Sequence, residues 1–200
     1  MTETPRTFKR LCVFCGSSHG RNPAYEEAAQ NLGGELARRN IALVYGGGNV
    51  GLMGVIADAV LAAGGEVIGV IPEALMAKEL GHNGIQDLRV VKTMHERKAL
   101  MAELSDGFIA MPGGIGTFEE FFEIVTWAQL GFHTKPCALL NVNGFYDPLL
   151  RLVDHAIAER FIKASQRQIL ISVPDVEALL HKMAHQNVPT EPKWIRKETL

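Results

Sequence analysis

Short apolar runs alternate along this chain with longer segments of helical periodicity, and this alternation constrains the fold more than any single motif. The apolar runs predict strands at residues 11–15, 41–45, 66–71, 88–92, 107–111 and 137–141, with a further candidate at 169–172. The segments between them predict helices at residues 22–39, 51–63, 94–105, 117–130, 146–160 and 174–185. Strands and helices in this order are typical of a parallel sheet with helices on both faces, so we predict an α/β fold with buried strands.

The chain has 200 residues, a length that suits one domain with a sizeable core. It contains no internal repeat and no linker, so we predict a single domain over residues 1–200, with a core at about 10–186 and a polar tail. Its formal net charge is −2 and its cations form no run, which argues against nucleic-acid binding. No segment approaches the roughly 20 apolar residues of a membrane helix, and the first residues lack a signal-peptide core. We therefore predict a cytoplasmic protein.

Glycine or proline follows strand after strand. The turns read CGSS after the first strand, YGGGNVG after the second, IPE after the third and MPGGIGT after the fifth. The carboxyl ends of parallel strands share one edge of a sheet, and ligands bind in the crevice outside that edge. The sequence therefore predicts a binding site made of these turns. Ser17 and Ser18 would contact the ligand there, because no GxSxG elbow marks them as nucleophiles.

Two of these turns are candidate phosphate sites. The glycines at 46–48 would let the backbone approach a phosphate closely, although GGGNVG is a weak match to a dinucleotide fingerprint. In PGGIGT, Pro112 ends the strand, glycines at 113, 114 and 116 remove β-carbons that would block an anion, and Thr117 begins a helix. The N-terminus of that helix offers unpaired N–H groups and the positive end of its dipole. The spacing differs from a P-loop, so it does not predict ATP hydrolysis.

Glu119 and Glu120 follow this turn and allow two interpretations. Thr117 to Glu120 reads T-x-x-E, the pattern of a capping box, so Glu120 could simply cap the helix. Beside a phosphate-binding turn, a carboxylate could instead take a proton from water or stabilise a developing positive charge. Residue type alone leaves both interpretations open.

The segment TMHERKALM, residues 93–101, begins with a capping box of its own, formed by Thr93 and Glu96. Arg97 and Lys98 then fall in the first turn of the predicted helix, where the dipole disfavours cations by about 0.3 to 1 kcal/mol. A bound anion at the same edge of the sheet would explain both cations. We therefore predict that Arg97 and Lys98 contact the ligand.

A helix over TFEEFFEIVTWAQLG is apolar around most of its girth. Its side chains at Phe118, Phe121, Phe122 and Val125 form a stripe that we expect to face the core. Trp127 and its neighbours extend the apolar surface beyond that stripe. We therefore predict that this helix contacts a second copy of the chain in a homodimer.

The cysteines and histidines predict no metal site. Cys12 and Cys15 form a lone CxxC, but within a strand they would point to opposite faces and be buried. His181 and His185 are spaced i, i+4 without the glutamate of HExxH, so a solvated helix face is the simpler interpretation.

The stretches CVFCGSS, YGGGNVGLMG, MHERKALM and PGGIGTFEE follow the order of the LOG family, and the chain resembles that family from about Arg10 to about His185. These are the cytokinin riboside 5'-monophosphate phosphoribohydrolases, often labelled as lysine decarboxylases. The resemblance implies a Rossmann-like, doubly wound parallel sheet of about six or seven strands and a homodimer. It also implies hydrolysis of the N-glycosidic bond of a nucleoside 5'-monophosphate to a free base and ribose 5-phosphate.

The resemblance further implies roles for particular residues. Arg97 in MHERK and Glu120 at the end of PGGIGTFEE match residues that are essential in the family, so we predict both to be catalytic. Glu79 matches an upstream glutamate that contacts substrate. With the motifs above, this predicts a substrate site without metal or cofactor that comprises Ser17, Gly46, Gly47, Gly48, Glu79, Met94, Arg97, Lys98, Gly113, Gly114, Ile115, Gly116, Thr117, Phe118, Glu119 and Thr126.

The sequence is also compatible with other activities. A lysine decarboxylase would need pyridoxal phosphate on a lysine, for which Lys98 is the one candidate by position. A Rossmann-like carrier of nucleotides or cofactors would need the glycine turns but no carboxylate beside a scissile bond. For a hydrolase, adenine and N6-substituted adenine both fit as the base.

Overall fold

The structure is a computed structural model that describes residues 5–79 and 81–188. Its strands are β1 (Arg10–Phe14), β2 (Ala42–Tyr45), β3 (Val67–Pro72), β4 (Asp87–Val91), β5 (Gly107–Ala110), β6 (Cys137–Leu140) and β7 (Leu170–Val173). Its helices are α1 (Ala24–Arg38), α2 (Gly51–Ala62), α3 (Glu73–Glu79), α4 (Met94–Leu104), α5 (Ile115–Gln129), α6 (Asp147–Ala158) and α7 (Val176–Ala184). Short 3₁₀ turns span Val142–Gly144 and Ala164–Ile169. The predicted α/β fold is confirmed.

The strands form one seven-stranded sheet in the order β4-β3-β2-β1-β5-β6-β7, and every neighbouring pair is parallel. From β1 the chain winds outward through β2, β3 and β4, and then crosses back to place β5 on the other side of β1. This is the Rossmann-like, doubly wound arrangement. The direction of winding reverses between β1 and β5, which is where such sheets open a ligand crevice at their carboxyl edge.

Alternate side chains of the sheet feed two separate hydrophobic cores. Leu11 and Val13 of β1 belong to the core under α1, α2 and α7, which we call the first face. Phe14 belongs to the core under α4 and α5, which we call the second face. Cys15 lies in the first core and Cys12 in the second, as predicted, and burial raises the pKa of both thiols.

Three details differ from the sequence-based expectations. β4 is an edge strand that is only partly buried, and its Val90 is 48% exposed. Helix α3 was not predicted, because Pro72 and Glu73 were interpreted as a turn although EALMAKE consists of good helix formers. In α5 the buried stripe runs through Phe121, Ile124, Val125 and Ala128, whereas Phe122 lies outside both cores.

Two expectations, the polar tail and the lack of a membrane helix, can be compared with the structure only over the residues that it describes. The polar tail lies outside them from residue 189 onward. Within residues 5–79 and 81–188, no helix is both long and apolar enough to cross a membrane.

Candidate active site

Three turns meet at the carboxyl ends of β1, β2 and β5. The N–H of Gly16 donates to the carbonyl oxygen of Pro112 at 3.1 Å. The carbonyl oxygen of Gly16 in turn accepts from the N–H of Leu52 in α2 at 3.0 Å. A cavity of about 220 Å³ opens beside these bonds. Its wall includes the predicted contacts Ser17, Gly113 and Gly114, together with His19, Tyr25 and Phe145. The turns after β1 and β5 therefore line a cavity at the predicted edge of the sheet, whereas Gly46, Gly47 and Gly48 are not part of its wall.

The turn after β5 leads into α5 earlier than expected. The helix begins at Ile115 with Gly114 as its N-cap, and no described side chain caps it. Thr117 lies within the first turn, so of the two interpretations the capping box of Thr117 and Glu120 is wrong. The buried Thr117 packs against Gly113, where a β-carbon would lie 2.2 Å from its hydroxyl oxygen. The exposed start of α5 therefore keeps N–H groups available for an anion.

Helix α4 carries Arg97 to the turn after β2. Thr93 caps α4 by accepting from the N–H of Glu96 at 3.1 Å, while the Glu96 carboxylate accepts from the N–H of Lys92 at 2.9 Å. The first half of the predicted capping box is confirmed, and the second half is shifted by one residue. Arg97 is 6% exposed, and its Nη2 donates to the carbonyl oxygen of Gly46 at 3.4 Å. A β-carbon at Gly46 would lie 2.1 Å from that nitrogen, so the approach requires glycine.

The guanidinium of Arg97 is only partly satisfied. Its Nη2 lies 3.6 Å from Oε1 of Glu120, whose side chain is 11% exposed, and its Nη1 lies 3.7 Å from the sulfur of Met94. Its Nε is buried and has no hydrogen-bond partner among the described residues. Since a buried donor without an acceptor is costly, the arrangement suits a site that a ligand completes.

Lys98 connects α4 to α5. Its Nζ lies 2.5 Å from Oε1 of Glu119 and 3.1 Å from Oε2 of Glu123. Burial lowers the pKa of Lys98, but its hydrogen bonds to the two carboxylates more than offset this and leave the pKa above its ordinary value. The amine is therefore held as an ammonium ion. Glu123 was missed from the sequence, although its i, i+4 spacing from Glu119 places both on one helix face.

Other predicted residues lie around this centre. Gly47 and Gly48 continue the turn that Arg97 approaches. Phe118 packs against the rings of Phe145 and Tyr146. Ile115 is 81% exposed at the first position of α5, beside the exposed Gly116.

Two predicted residues, Thr126 and Glu79, belong to α5 and α3. Thr126 lies at the exposed surface of α5, and its hydroxyl donates to the carbonyl oxygen of Phe122 at 2.7 Å. Glu79 ends α3, but its side chain lies outside the described part of the structure. By contrast, Tyr25 and Phe145 line the crevice and were not predicted, because they come from distant segments that only tertiary packing brings together.

Metal ligands do not assemble in the described ranges. No group of three or more histidine, cysteine, aspartate or glutamate side chains there could hold a metal ion. His181 and His185 stack on each other with ring centroids 4.3 Å apart, and both are exposed. The arrangement agrees with the solvated helix face predicted for them.

Sequence comparisons identify relatives that cover most of this chain. A model of the family described as "Possible lysine decarboxylase" matches residues 53–183. The probable cytokinin riboside 5'-monophosphate phosphoribohydrolase LOGL1 of Oryza sativa subsp. japonica is 53% identical over 196 residues, which cover 96% of this chain and 88% of that protein. This chain belongs to the LOG family. A second LOG-family protein, the cytokinin riboside 5'-monophosphate phosphoribohydrolase LOG4 of Arabidopsis thaliana, is 52% identical over 192 residues, 94% of this chain and 89% of that protein.

Solved structures share the fold at lower sequence identity. The molybdenum cofactor carrier protein of Chlamydomonas reinhardtii superposes with a TM-score of 0.63 and 20% identity, over 84% of this chain and 91% of that one. The molybdenum cofactor binding protein of Rippkaea orientalis superposes with a TM-score of 0.62 and 22% identity, over 84% and 90%. At such identities the likeness concerns the fold alone, so the Rossmann-like sheet of this LOG-family chain also occurs in carriers.

The family description implies pyridoxal phosphate, which a decarboxylase would hold on a lysine as a Schiff base. That bond forms from a neutral amine. Lys98 instead is an ammonium ion between Glu119 and Glu123, with its pKa raised. The lysine that sequence position singles out therefore does not fit pyridoxal phosphate in this LOG-family site.

Proposed function

We propose that this LOG-family protein is a nucleoside 5'-monophosphate phosphoribohydrolase. It would add water across the N-glycosidic bond of an adenosine 5'-monophosphate, plain or N6-substituted, and release the free base and ribose 5-phosphate. Relatives that are 53% and 52% identical bear the name cytokinin riboside 5'-monophosphate phosphoribohydrolase. The observation that carries the proposal is the pair of the buried Arg97 and the mostly buried Glu120, 3.6 Å apart, beside the glycine turns.

Glu120 acts on the sugar and on water. Cleavage of a glycosidic bond passes through an oxocarbenium-like sugar, which a carboxylate stabilises while it takes a proton from the attacking water. Glu120 follows the first residue of α5 by five positions, or about 7.5 Å along the helix axis. If the phosphate binds at the N-terminus of α5, its distance from Glu120 is similar to the length of a ribose 5-phosphate. The sugar would then lie beside the Glu120 carboxylate.

Arg97 acts on the base or the phosphate. The leaving base takes up negative charge, which a guanidinium offsets through hydrogen bonds that strengthen as the bond breaks. The Arg97 guanidinium, beside Gly46 and Glu120, would donate these hydrogen bonds. Glu120 and the carbonyl oxygen of Gly46 would hold the guanidinium in position.

The remaining contacts bind substrate without taking part in the chemistry. The N–H groups at the start of α5 supply positive charge for the phosphate, and Lys98 is a further binding contact. We assign the other binding contacts to Ser17, Gly46, Gly47, Gly48, Glu79, Met94, Gly113, Gly114, Ile115, Gly116, Thr117, Phe118, Glu119 and Thr126.

The proposal includes a homodimer. A groove of about 490 Å³ is lined by residues of α4 and α5 and by the segment after α5. Trp127, His133 and Lys135 line it, and Phe132 at its rim is 70% exposed. A second copy of the chain would cover this apolar surface. Phe132→Asp should then shift the molar mass measured by light scattering from dimer to monomer, whereas a monomeric wild-type protein would contradict the proposal.

The proposal also includes a cytoplasmic location. Cys12, Cys15 and Cys137 are buried free thiols, which is the state expected in a reducing compartment. Cell fractionation with detection of the native protein would test this.

The decisive experiment follows release of base by chromatography. Purified protein is incubated with AMP and with N6-isopentenyladenosine 5'-monophosphate, beside Glu120→Gln and the control Glu177→Gln. Glu177 is an exposed glutamate in the first turn of α7. We expect Glu120→Gln to bind substrate but to lose at least about 10²-fold in turnover, because the neutral amide can neither accept the proton nor stabilise the cation. Equal turnover in Glu120→Gln would remove Glu120 from the mechanism.

The same experiment tests the carrier interpretation. Tight binding of AMP without release of base from either nucleotide would indicate a nucleotide carrier on the shared fold. Comparing the two substrates at equal concentration would also rank plain adenine against N6-substituted adenine.

A further inference from the structure

The segment that follows α3 is bonded to the glycine turn of the site. The N–H of His82 donates to the carbonyl oxygen of Gly47 at 3.1 Å, and Gly81 pairs with Gly48 in an antiparallel bridge. The preceding residue of the turn, Gly46, accepts from Nη2 of Arg97 at 3.4 Å. Adjacent peptide groups of one turn thus bond to His82 and to Arg97.

The imidazole of His82 is fixed at both nitrogens. Its Nε2 lies 3.1 Å from Oδ1 of Asp58 in α2, and the N–H of Gly84 donates to its Nδ1 at 3.1 Å. Because Nδ1 accepts a hydrogen bond, the ring proton is on Nε2 and is donated to Asp58. The His82 side chain is 5% exposed, whereas that of Asp58 is 69% exposed. A buried ring thus ties the segment 81–84 to the outer surface of α2.

We infer that His82 is a positioning residue for Arg97. With Asp58 it fixes the segment 81–84, which holds the turn at 46–48 and with it the carbonyl oxygen that orients the Arg97 guanidinium. The turn consists of glycines and has no side chains of its own to anchor it, so its position depends on these backbone bonds. The inference rests on the proposed function of Arg97. A misplacement of a catalytic group by about 1 Å can lower the reaction rate about 10²-fold. A turn that is no longer held in place should therefore lower kcat.

The test begins at Asp58, because an exposed aspartate can be changed without opening the core. Asp58→Ala, His82→Ala and the double variant are compared with wild type for kcat and KM on N6-isopentenyladenosine 5'-monophosphate. Asp154→Ala is the control, since Asp154 is an exposed aspartate in a helix, bonded to Arg167 at 2.7 Å. His82→Gln is the conservative variant, because an amide nitrogen can replace Nε2 as the donor to Asp58.

We expect kcat to fall about tenfold in Asp58→Ala and in His82→Ala, with KM changed by less than about threefold, because Arg97 acts in the transition state. The double variant should lose no more than either single variant, since both break one coupling. His82→Gln should keep most of the activity. Hydrogen exchange at the amide of His82 should be about tenfold faster in Asp58→Ala, with the melting temperature little changed.

Losses that multiply in the double variant, or a kcat within about twofold of wild type, would overturn the inference. So would a raised KM with unchanged kcat, which would indicate a binding role. If wild-type protein releases no base, the proposed function fails, and AMP affinity replaces turnover as the readout. In that case, unchanged AMP affinity and unchanged amide exchange in Asp58→Ala would reject His82 as a positioning residue as well.

Discussion

The two faces of the sheet differ in what they bury. On the first face, the core under α1, α2 and α7 is apolar apart from the buried hydroxyl of Tyr45, and α2 carries one charged residue, the exposed Asp58. On the second face, α4 buries Arg97 and Lys98 against the acidic side of α5. Burial of a charge costs free energy unless the charge is paired, and pairing rarely returns more than the cost. The first face therefore stabilises the fold, whereas the buried charges of the second face reduce stability.

The largest expected effect separates the two faces through stability. Leu36 is fully buried in α1 on the first face. Leu36→Ala should lower the free energy of unfolding by about 2–5 kcal/mol, because it leaves a cavity in a packed core, while kcat per folded molecule stays unchanged. Urea denaturation with activity measured on folded protein checks both parts. The control is Leu152→Ala in α6, where the side chain is 63% exposed and the expected cost is at most about 0.5 kcal/mol.

The next effect is the reverse, a loss of activity without a loss of stability. In Gly46→Ala the new β-carbon would lie 2.1 Å from Nη2 of Arg97, and the flexible end of the arginine would move away. We expect kcat/KM to fall by about 10-fold to 100-fold with the free energy of unfolding within about 1 kcal/mol of wild type. Full activity would show that the position of Arg97 is not critical. Unfolding of the variant would place the turn among the structural elements instead.

The smallest effect tests how tightly the first face is packed. Gly33 and Gly34 are neighbours in α1, but a β-carbon at Gly33 would lie 2.9 Å from the carbonyl oxygen of Ile56, whereas at Gly34 the nearest atom is 3.5 Å away on Arg38. Gly33→Ala should destabilise by about 1–3 kcal/mol through overpacking. Gly34→Ala should stabilise by about 0.5–1 kcal/mol through helix propensity. Thermal unfolding of the two variants gives the signs, and equal signs would contradict the packing of α1 on α2.

Sequence patterns predicted most of the fold because the strands of a parallel sheet are apolar and end in glycine or proline. They failed at α3, where a proline at the strand end masked a short helix, and at the start of α5, where a threonine resembled a cap. Capping patterns are short and recur inside helices, so they locate a helix start only to within a few residues. The strand at 88–92 was predicted, but its partial exposure was not, because the edge position of β4 depends on the strand order, which no local pattern contains.

The same distinction applies to the site. Arg97 and Glu120 could be placed at one sheet edge from the sequence, because each lies near the start of a helix that follows a strand. Their 3.6 Å contact agrees with that prediction of position, and their catalytic roles stay a prediction. Tyr25, Phe145 and His82 reach the crevice or its turn from segments far apart in the chain. No residue pattern near them indicates this, so only the folded chain reveals it.

The central place of β1 has a consequence for synthesis of the protein. β1 pairs with β2 on one side, but its other edge pairs with β5, where Leu11 faces Gly107. A ribosome that adds about 5–20 residues per second would deliver β5 roughly 5–20 s after β1. During that interval the apolar edge of β1 is an open template for pairing with other chains. The yield of folded protein should therefore depend on whether chaperones shield the nascent chain in those seconds.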